Sequence, residues 1–156
     1  MGTLRLRGFL PYRLSIAANA VSRVIAAAYE QRFGLSVPEW RLIAVLHEHG
    51  SCTQQDLVGL TLMDKVAVSR AAIALAKRRL VDRTPDANDG RARHLQLSKS
   101  GQELHRRIAP AALNYEAELL ASFSTSEIAA LREMLERLEG AAKELADVQP
   151  GQARTR

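Results

Sequence analysis

The sequence predicts a mainly helical fold with one small β-hairpin. The 156 residues include 25 alanines and only seven aromatics, a composition that favours closely packed helices over sheets. Apolar residues recur at helical spacing along most of the chain, broken by capping signals. The one departure is a short alternating stretch around residues 80–97 with a turn-rich middle.

Each element has a local reason. Residues 1–9 read as a loose start. Pro11 opens a helix to about Phe33, with Leu14, Val21, Val24, Ile25 and Ala28 on one stripe and Gly34 as the stop. Ser36-Val37-Pro38-Glu39 is a capping box for a second helix, about 37–48. Trp40, Leu42, Ile43, Val45 and Leu46 make that helix apolar on most sides, so it belongs at the centre of the fold. Thr53 caps a short third helix to about Leu60, and Asp64 caps a fourth over about 65–79. The fourth helix has Val68, Ala72, Leu75 and Ala76 on one face and Lys65, Ser69, Arg70 and Lys77 on the other. Strands follow at 80–84 and 94–97, joined by Pro85–Arg91. Ser98 starts a long helix to about Ser122, with a kink expected at Pro110. Ser124 and Glu127 box the start of a last helix, about 125–147, striped by Ile128, Leu131, Leu135 and Leu138. Residues 149–156 have a tail's composition.

Charge is unevenly spread. Lys65–Lys99 carries nine Lys/Arg against three Asp, whereas the other 121 residues are close to balanced. A basic helix beside a basic hairpin is the electrostatic footprint of a duplex-DNA reader. No apolar run is long enough for a signal peptide or a membrane span, and one cysteine excludes an internal disulfide framework, which suits a reducing cytoplasm. No nucleophile elbow, phosphate loop or ligand-spaced His/Cys set marks an enzyme, and no cofactor is expected. His47-Glu48-His49 lacks the two-turn spacing of zinc hydrolases and reads as solvated helix-end residues, and His94 and His105 form no cluster by sequence.

Helices two to four and the hairpin compose a winged helix-turn-helix. A helix fits the major groove, where each base pair shows a distinct donor and acceptor pattern. Lys65, Val66, Ala67, Ser69 and Arg70 are the residues placed to read it, with Arg70 forking to guanine and Val66 and Ala67 touching thymine methyls. Thr53 and Gln54 suit phosphate contacts at a helix start. Arg91 at the hairpin tip suits a narrow minor groove, with Asp89 holding its guanidinium and Arg93 adding a phosphate contact. Lys77, Arg78 and Arg79 read either as more of this surface or as a solvated face.

The run from Thr53 to Gly101 resembles the MarR family of bacterial regulators. The carrying residues are Thr53-Gln54-Gln55-Asp56-Leu57, Asp64-Lys65-Val66-Ala67-Val68-Ser69-Arg70, and Asp89-Gly90-Arg91 followed by Leu95-Gln96-Leu97-Ser98-Lys99-Ser100-Gly101. The resemblance implies a ligand-responsive, sequence-specific transcriptional regulator of the bacterial cytoplasm, most often a repressor, bound at the nucleoid to a pseudo-palindromic operator. By it, Val66, Ser69 and Arg70 match base-reading positions, and Arg91 and Asp89 match the minor-groove pair. A sequence-tolerant architectural DNA-binding protein without effector is the alternative.

The outer helices have apolar stripes that the winged unit cannot cover, which predicts a homodimer. Residues 1–36 and 99–148 are then the dimerisation region, 37–98 the DNA-binding region and 149–156 a flexible tail. The resemblance also implies a small-molecule effector where these regions meet, at the start of the first helix, the second and the fifth. Tyr12, Arg13, Trp40 and His47 are the candidates there, for a small aromatic or phenolic acid: Arg13 for the carboxylate, Tyr12 and Trp40 for the ring. Cys52 reads as a small buried hydrophobe.

Overall fold

The computed structural model describes residues 4–85 and 93–148. Among them a 3-10 turn at Leu6–Gly8 precedes α1 (Leu10–Phe33), α2 (Val37–His49), β1 (Cys52–Thr53), α3 (Gln54–Thr61), α4 (Lys65–Lys77), β2 (Val81–Pro85), β3 (Arg93–Leu97), α5 (Lys99–Leu119) and α6 (Thr125–Val148). The chain divides into two compact units, Met1–Ala112 and Leu113–Arg156, with the division inside α5. None of the described helices is long and apolar enough to cross a membrane.

Boundaries follow capping chemistry. Gly34 closes α1 in the left-handed region at φ 60°, a conformation that costs glycine little. The Glu39 carboxylate accepts from the Ser36 amide and hydroxyl, both at 2.7 Å, and the Ser36 hydroxyl accepts from the Glu39 amide at 3.4 Å. At the far end of α4 the helix stops at Lys77 rather than residue 79, because Arg79 turns left-handed at φ 57°. The Leu80 amide then reaches the Leu75 carbonyl at 2.9 Å and the Arg79 amide reaches Ala76 at 3.0 Å, the two bonds of a Schellman closure. Arg78 is exposed but engaged: its guanidinium donates to the Gly34 and Phe33 carbonyls at 2.8 and 3.2 Å and lies 3.9 Å from Glu39.

The sheet has three strands, in the order β1-β3-β2, and both pairings are antiparallel. Cys52 faces Leu95, Val81 faces Leu97 and Pro85 faces Arg93. β1 was not anticipated, since two residues carry no periodicity. β2 starts one residue later than the alternation implied, because Leu80 is spent closing α4 and accepting from the Ser98 amide at 3.1 Å. Pro85 sits on the edge strand β2, where a missing N–H breaks no ladder.

The core of the first unit gathers on α2. Leu42, Ile43 and Leu46 are shut from solvent together with Leu57 of α3, Val68 and Leu75 of α4, Leu95 of β3 and Ile108 of α5. Each such side chain contributes about 2 kcal/mol by burial. α5 begins beneath the α4–β2 turn: the Ser98 hydroxyl donates to the Arg79 carbonyl at 2.7 Å and accepts from the Gly101 amide at 3.1 Å. The approach is so close that a Cβ on Gly101 would overlap the Leu80 carbonyl oxygen.

In the second unit α5 continues past Pro110 to Leu119, three residues short of the expected end, since Leu120–Phe123 turn to present Ser124 as the next cap. Ser124 and Glu127 form the anticipated box, with the carboxylate 2.7 Å from the Ser124 amide. Arg132 bridges to Glu116 at 2.9 Å. No residue of 125–147 is buried.

Gly101→Ala should lower unfolding free energy by about 2 kcal/mol, the cost of overpacking. Gly59→Ala, inside α3 with nothing within 4 Å of the added carbon, should raise it by about 0.5–1 kcal/mol. Urea denaturation of both variants checks this; an unchanged midpoint for Gly101→Ala would remove the close-approach argument.

Candidate nucleic-acid interface

α3 and α4 form the helix-turn-helix. α3 is started by Thr53, whose hydroxyl accepts from the Asp56 amide at 3.1 Å and donates to the Asp56 carboxylate at 2.7 Å. The Thr53 amide donates to the same carboxylate at 2.8 Å. These bonds, hydroxyl first and amide second, hold the Asp56 carboxyl below its ordinary range. Thr53 is therefore spent as a cap, and Asp56 puts a negative charge at that helix start. Gln54, half-buried, makes no side-chain hydrogen bond among the described residues.

α4 is held in one rotation by its buried face, Val68, Ala71, Ala72 and Leu75. Asp64 caps it by accepting from the Ala67 amide at 2.8 Å. The opposite face carries exposed Lys65, Val66 and Arg70, with Ala67 and Ser69 half-buried beside them. Val66 is 58% exposed, a large fraction for an apolar side chain with a buried stripe on the same helix. Five of the ten residues named for DNA from the sequence thus lie together on one end of one helix. Of the wing, Arg93 is exposed at the start of β3 opposite Pro85. Asp89 and Arg91 lie outside the described residues.

A second feature joins α2 to α5. Trp40 and His47 are seven residues apart on α2 and so share a face two turns apart. His105 of α5 stacks on both: its ring centroid lies 3.7 Å from that of His47, at 19° between planes, and 5.8 Å from that of Trp40, at 14°. Tyr29 of α1 meets Trp40 edge-on at 5.3 Å. His47, at the end of this row, lines an open groove of about 510 Å³ with Leu46, Ser51, Gln96, Gln102 and Arg106. Burial first, and then His47, push the His105 imidazole below its ordinary 6.5, against an upward pull from Glu48.

Comparison with known proteins gives this geometry a family. Residues 33–92 match the sequence model of the MarR family. The fold is similar to the crystal structure of a MarR/EmrR family transcriptional regulator from Acinetobacter sp. ADP1, with a TM-score of 0.83, 27% identity, and 90% of this chain and 99% of that one covered. It is also similar to the crystal structure of a probable transcriptional regulator from Pseudomonas aeruginosa, with a TM-score of 0.75, 31% identity, and 86% and 99% covered. The chain belongs to the MarR family. Among curated relatives, this MarR-family transcriptional regulator is 29% identical over 113 residues to the uncharacterized HTH-type regulator YxaD of Bacillus subtilis, covering 72% of this chain and 79% of that one.

Against that fold, the winged helix expected from the sequence is present in its described parts, and the residues named for an effector divide. Trp40 and His47 meet through His105. Tyr12 and Arg13 are exposed on α1 and do not line the groove. His47 is exposed near the end of α2, as its neighbours suggested, and its ring also lies against His105. His105, Gln102 and Arg106 were missed; the signal was the Trp40–His47 spacing, which asks for a ring from another helix. Cys52 is buried, and burial followed by the Asp56 carboxylate raises its thiol, which keeps it protonated. No group of three His, Cys, Asp or Glu suited to a metal occurs among the described residues.

The depressed His105 sets a pH dependence. Below about 6.5 the unfolded chain binds more protons at this residue than the folded one, so stability is full above that value and falls as the pH drops through it. Thermal unfolding from pH 7.5 to 5.5 should show this slope, and His105→Phe, which keeps the stack, should flatten it. Equal slopes in the two proteins would mean that another group sets the dependence.

Proposed function

We propose that this regulator binds a pseudo-palindromic operator as a homodimer, acts as a repressor, and is released by a small aromatic acid. The observation that carries the DNA half is the row Lys65, Val66 and Arg70, exposed on α4 above a fully buried opposite face. Arg70 takes guanine O6 and N7, Val66 and Ala67 take thymine methyls, and Ser69 takes either hydrogen-bonding edge. Gln54 and Arg93 contact phosphate, Thr53 positions α3, and Arg91 enters the minor groove with Asp89 at its side.

The unburied α6 supports the dimer. A 24-residue helix with Leu131, Leu135 and Leu138 each more than a third exposed has no partner for its stripe within its own unit. Leu10, Tyr12 and Ile16 leave α1 in the same condition. A second copy covers both, with residues 1–36 and 99–148 as the dimerisation region and 37–98 reading DNA. A two-fold pair then sets the recognition helices about one DNA turn apart.

The groove at His47 supports the effector half. It offers a guanidinium (Arg106), amides (Gln96 and Gln102) and an imidazole beside apolar Leu46 and Leu97, the donor set for a carboxylate on a ring. Arg106 takes the carboxylate role first given to Arg13.

Two measurements test the reading. Anisotropy binding to the duplex upstream of the protein's own gene, against a scrambled duplex, should show preference for the former, lost on adding one aromatic acid from a panel. Arg70→Ala should cost about 2 kcal/mol, some thirtyfold, of that preference, and Arg91→Ala should weaken both duplexes and flatten the salt dependence. Equal binding of both duplexes by the wild type would favour a sequence-tolerant architectural role. Sedimentation at micromolar concentration should give a dimer for the wild type and a monomer for Leu135→Glu/Leu138→Glu. A monomeric wild type would sink the two-fold arrangement.

A further inference from the structure

On the proposed function the groove is an effector site, and His47, which lines it, belongs to a ring pair that this function does not require. Two imidazoles, one on α2 and one on α5, lie face to face with ring centroids 3.7 Å apart, and neither ring nitrogen of either residue makes a hydrogen bond to the protein among the described residues. We propose that the groove takes an aromatic carboxylate as the anion and that a proton is taken up with it at the His47–His105 pair, so that the effector binds more tightly as the pH falls through neutrality.

The surroundings decide the direction. The charged and titratable groups about the pair are Glu48 and His49 on α2, Arg106 on α5, and Tyr29 of α1 behind Trp40. β3 adds only Gln96 and Leu97, and the α2–β1 turn adds Gly50 and Ser51. Glu48 is turned partly to His49, 4.0 Å away. Without ligand, a proton on His47 meets the Arg106 guanidinium in the same groove, and a second proton on the stack meets the first across the 3.7 Å separation. Partial burial first, and then the repulsion across the stack, hold the His105 imidazole below its ordinary range. An anion seated on Arg106 reverses the first repulsion and adds an attraction to the imidazolium. The Trp40 ring, stacked on His105 at 5.8 Å, accepts the delocalised charge on its face. Anion and proton therefore enter together, the proton coming from solvent, and each strengthens the other's binding by the same factor.

The inference rests on the effector reading of this groove, and calorimetry with benzoate separates the two. Benzoate is titrated into the full-length protein at pH 7.5 and 6.0, in buffers of high and low ionisation enthalpy. Expected is a fractional proton uptake per benzoate and a several-fold tighter Kd at pH 6.0, at most tenfold per pH unit for one proton. His47→Phe/His105→Phe, which keeps both rings in the row, should take up no proton with the benzoate it binds and should show the same Kd at pH 7.5 and 6.0. Arg106→Gln should bind weakly at both pH values. Binding without proton uptake, or with uptake unchanged in the double variant, overturns the proton linkage and leaves the effector groove standing. No binding of benzoate to the wild type overturns both.

Discussion

The packing of α2 is the constraint on which the rest of the first unit depends. Its buried row, Leu42, Ile43 and Leu46, sets the rotation of α4 through Val68, Ala72 and Leu75, and so decides which residues of α4 face outward. Its start is tied to α1 and α4 together, since Glu39 caps α2 and lies 3.9 Å from the Arg78 that holds the last carbonyls of α1. Its end runs into the turn before β1, which pairs with β3. One helix apolar on most sides thus packs against α1, α3, α4 and β3. The same helix carries Trp40 and His47, so whatever disturbs the ring row acts on a helix that already contacts α4.

That arrangement gives a physical route for a ligand signal without a long chain of steps. The ring row and the α2–α4 packing lie on a single rigid helix, and a rigid helix transmits a small rotation rather than absorbing it. On the proposed reading, an anion at Arg106 and His47 changes how α2 sits on α5, and α4 moves with α2. The recognition helices of a two-fold dimer need only lose their match to the half-site spacing for affinity to drop.

Much of this was legible in the sequence because capping acts locally. Gly34 settles a boundary by its own left-handed conformation, and the Ser36–Glu39 and Ser124–Glu127 boxes, Thr53 with Asp56, and Asp64 with the Ala67 amide do so with groups three residues apart; each is made as read. The exposed face of α4 follows from its own 3.6-residue period. What was hidden depends on partners distant in sequence. β1 exists only because β3 runs beside it, α4 ends early because Arg79 can turn left-handed over the start of α5, and His105 matters only once α5 lies along α2. Arg78 belongs to the same class: on its helix it is one more surface cation, and only the carbonyl ends of α1 give it a task. The wing-tip pair Asp89 and Arg91 lies outside the described residues, so its part in DNA binding rests on the sequence pattern and the proposal built on it.

The energies involved favour a switch at the ring row over one in the core. Useful regulation needs a coupling of about 1–3 kcal/mol between effector and operator. Displacing the buried α2 side chains would cost several times that, at about 2 kcal/mol each, and would unfold the DNA-binding half rather than re-aim it. An aromatic stack is worth about 0.5–1.5 kcal/mol, and a charge change beside it is of similar size in a partly solvated groove. Contacts of that strength can be remade by one small anion while the core stays intact. The half-exposed position of the His47–His105 stack, outside the close-packed row of Leu42, Ile43 and Leu46, is what allows the helix to shift its outer contacts and keep its inner ones.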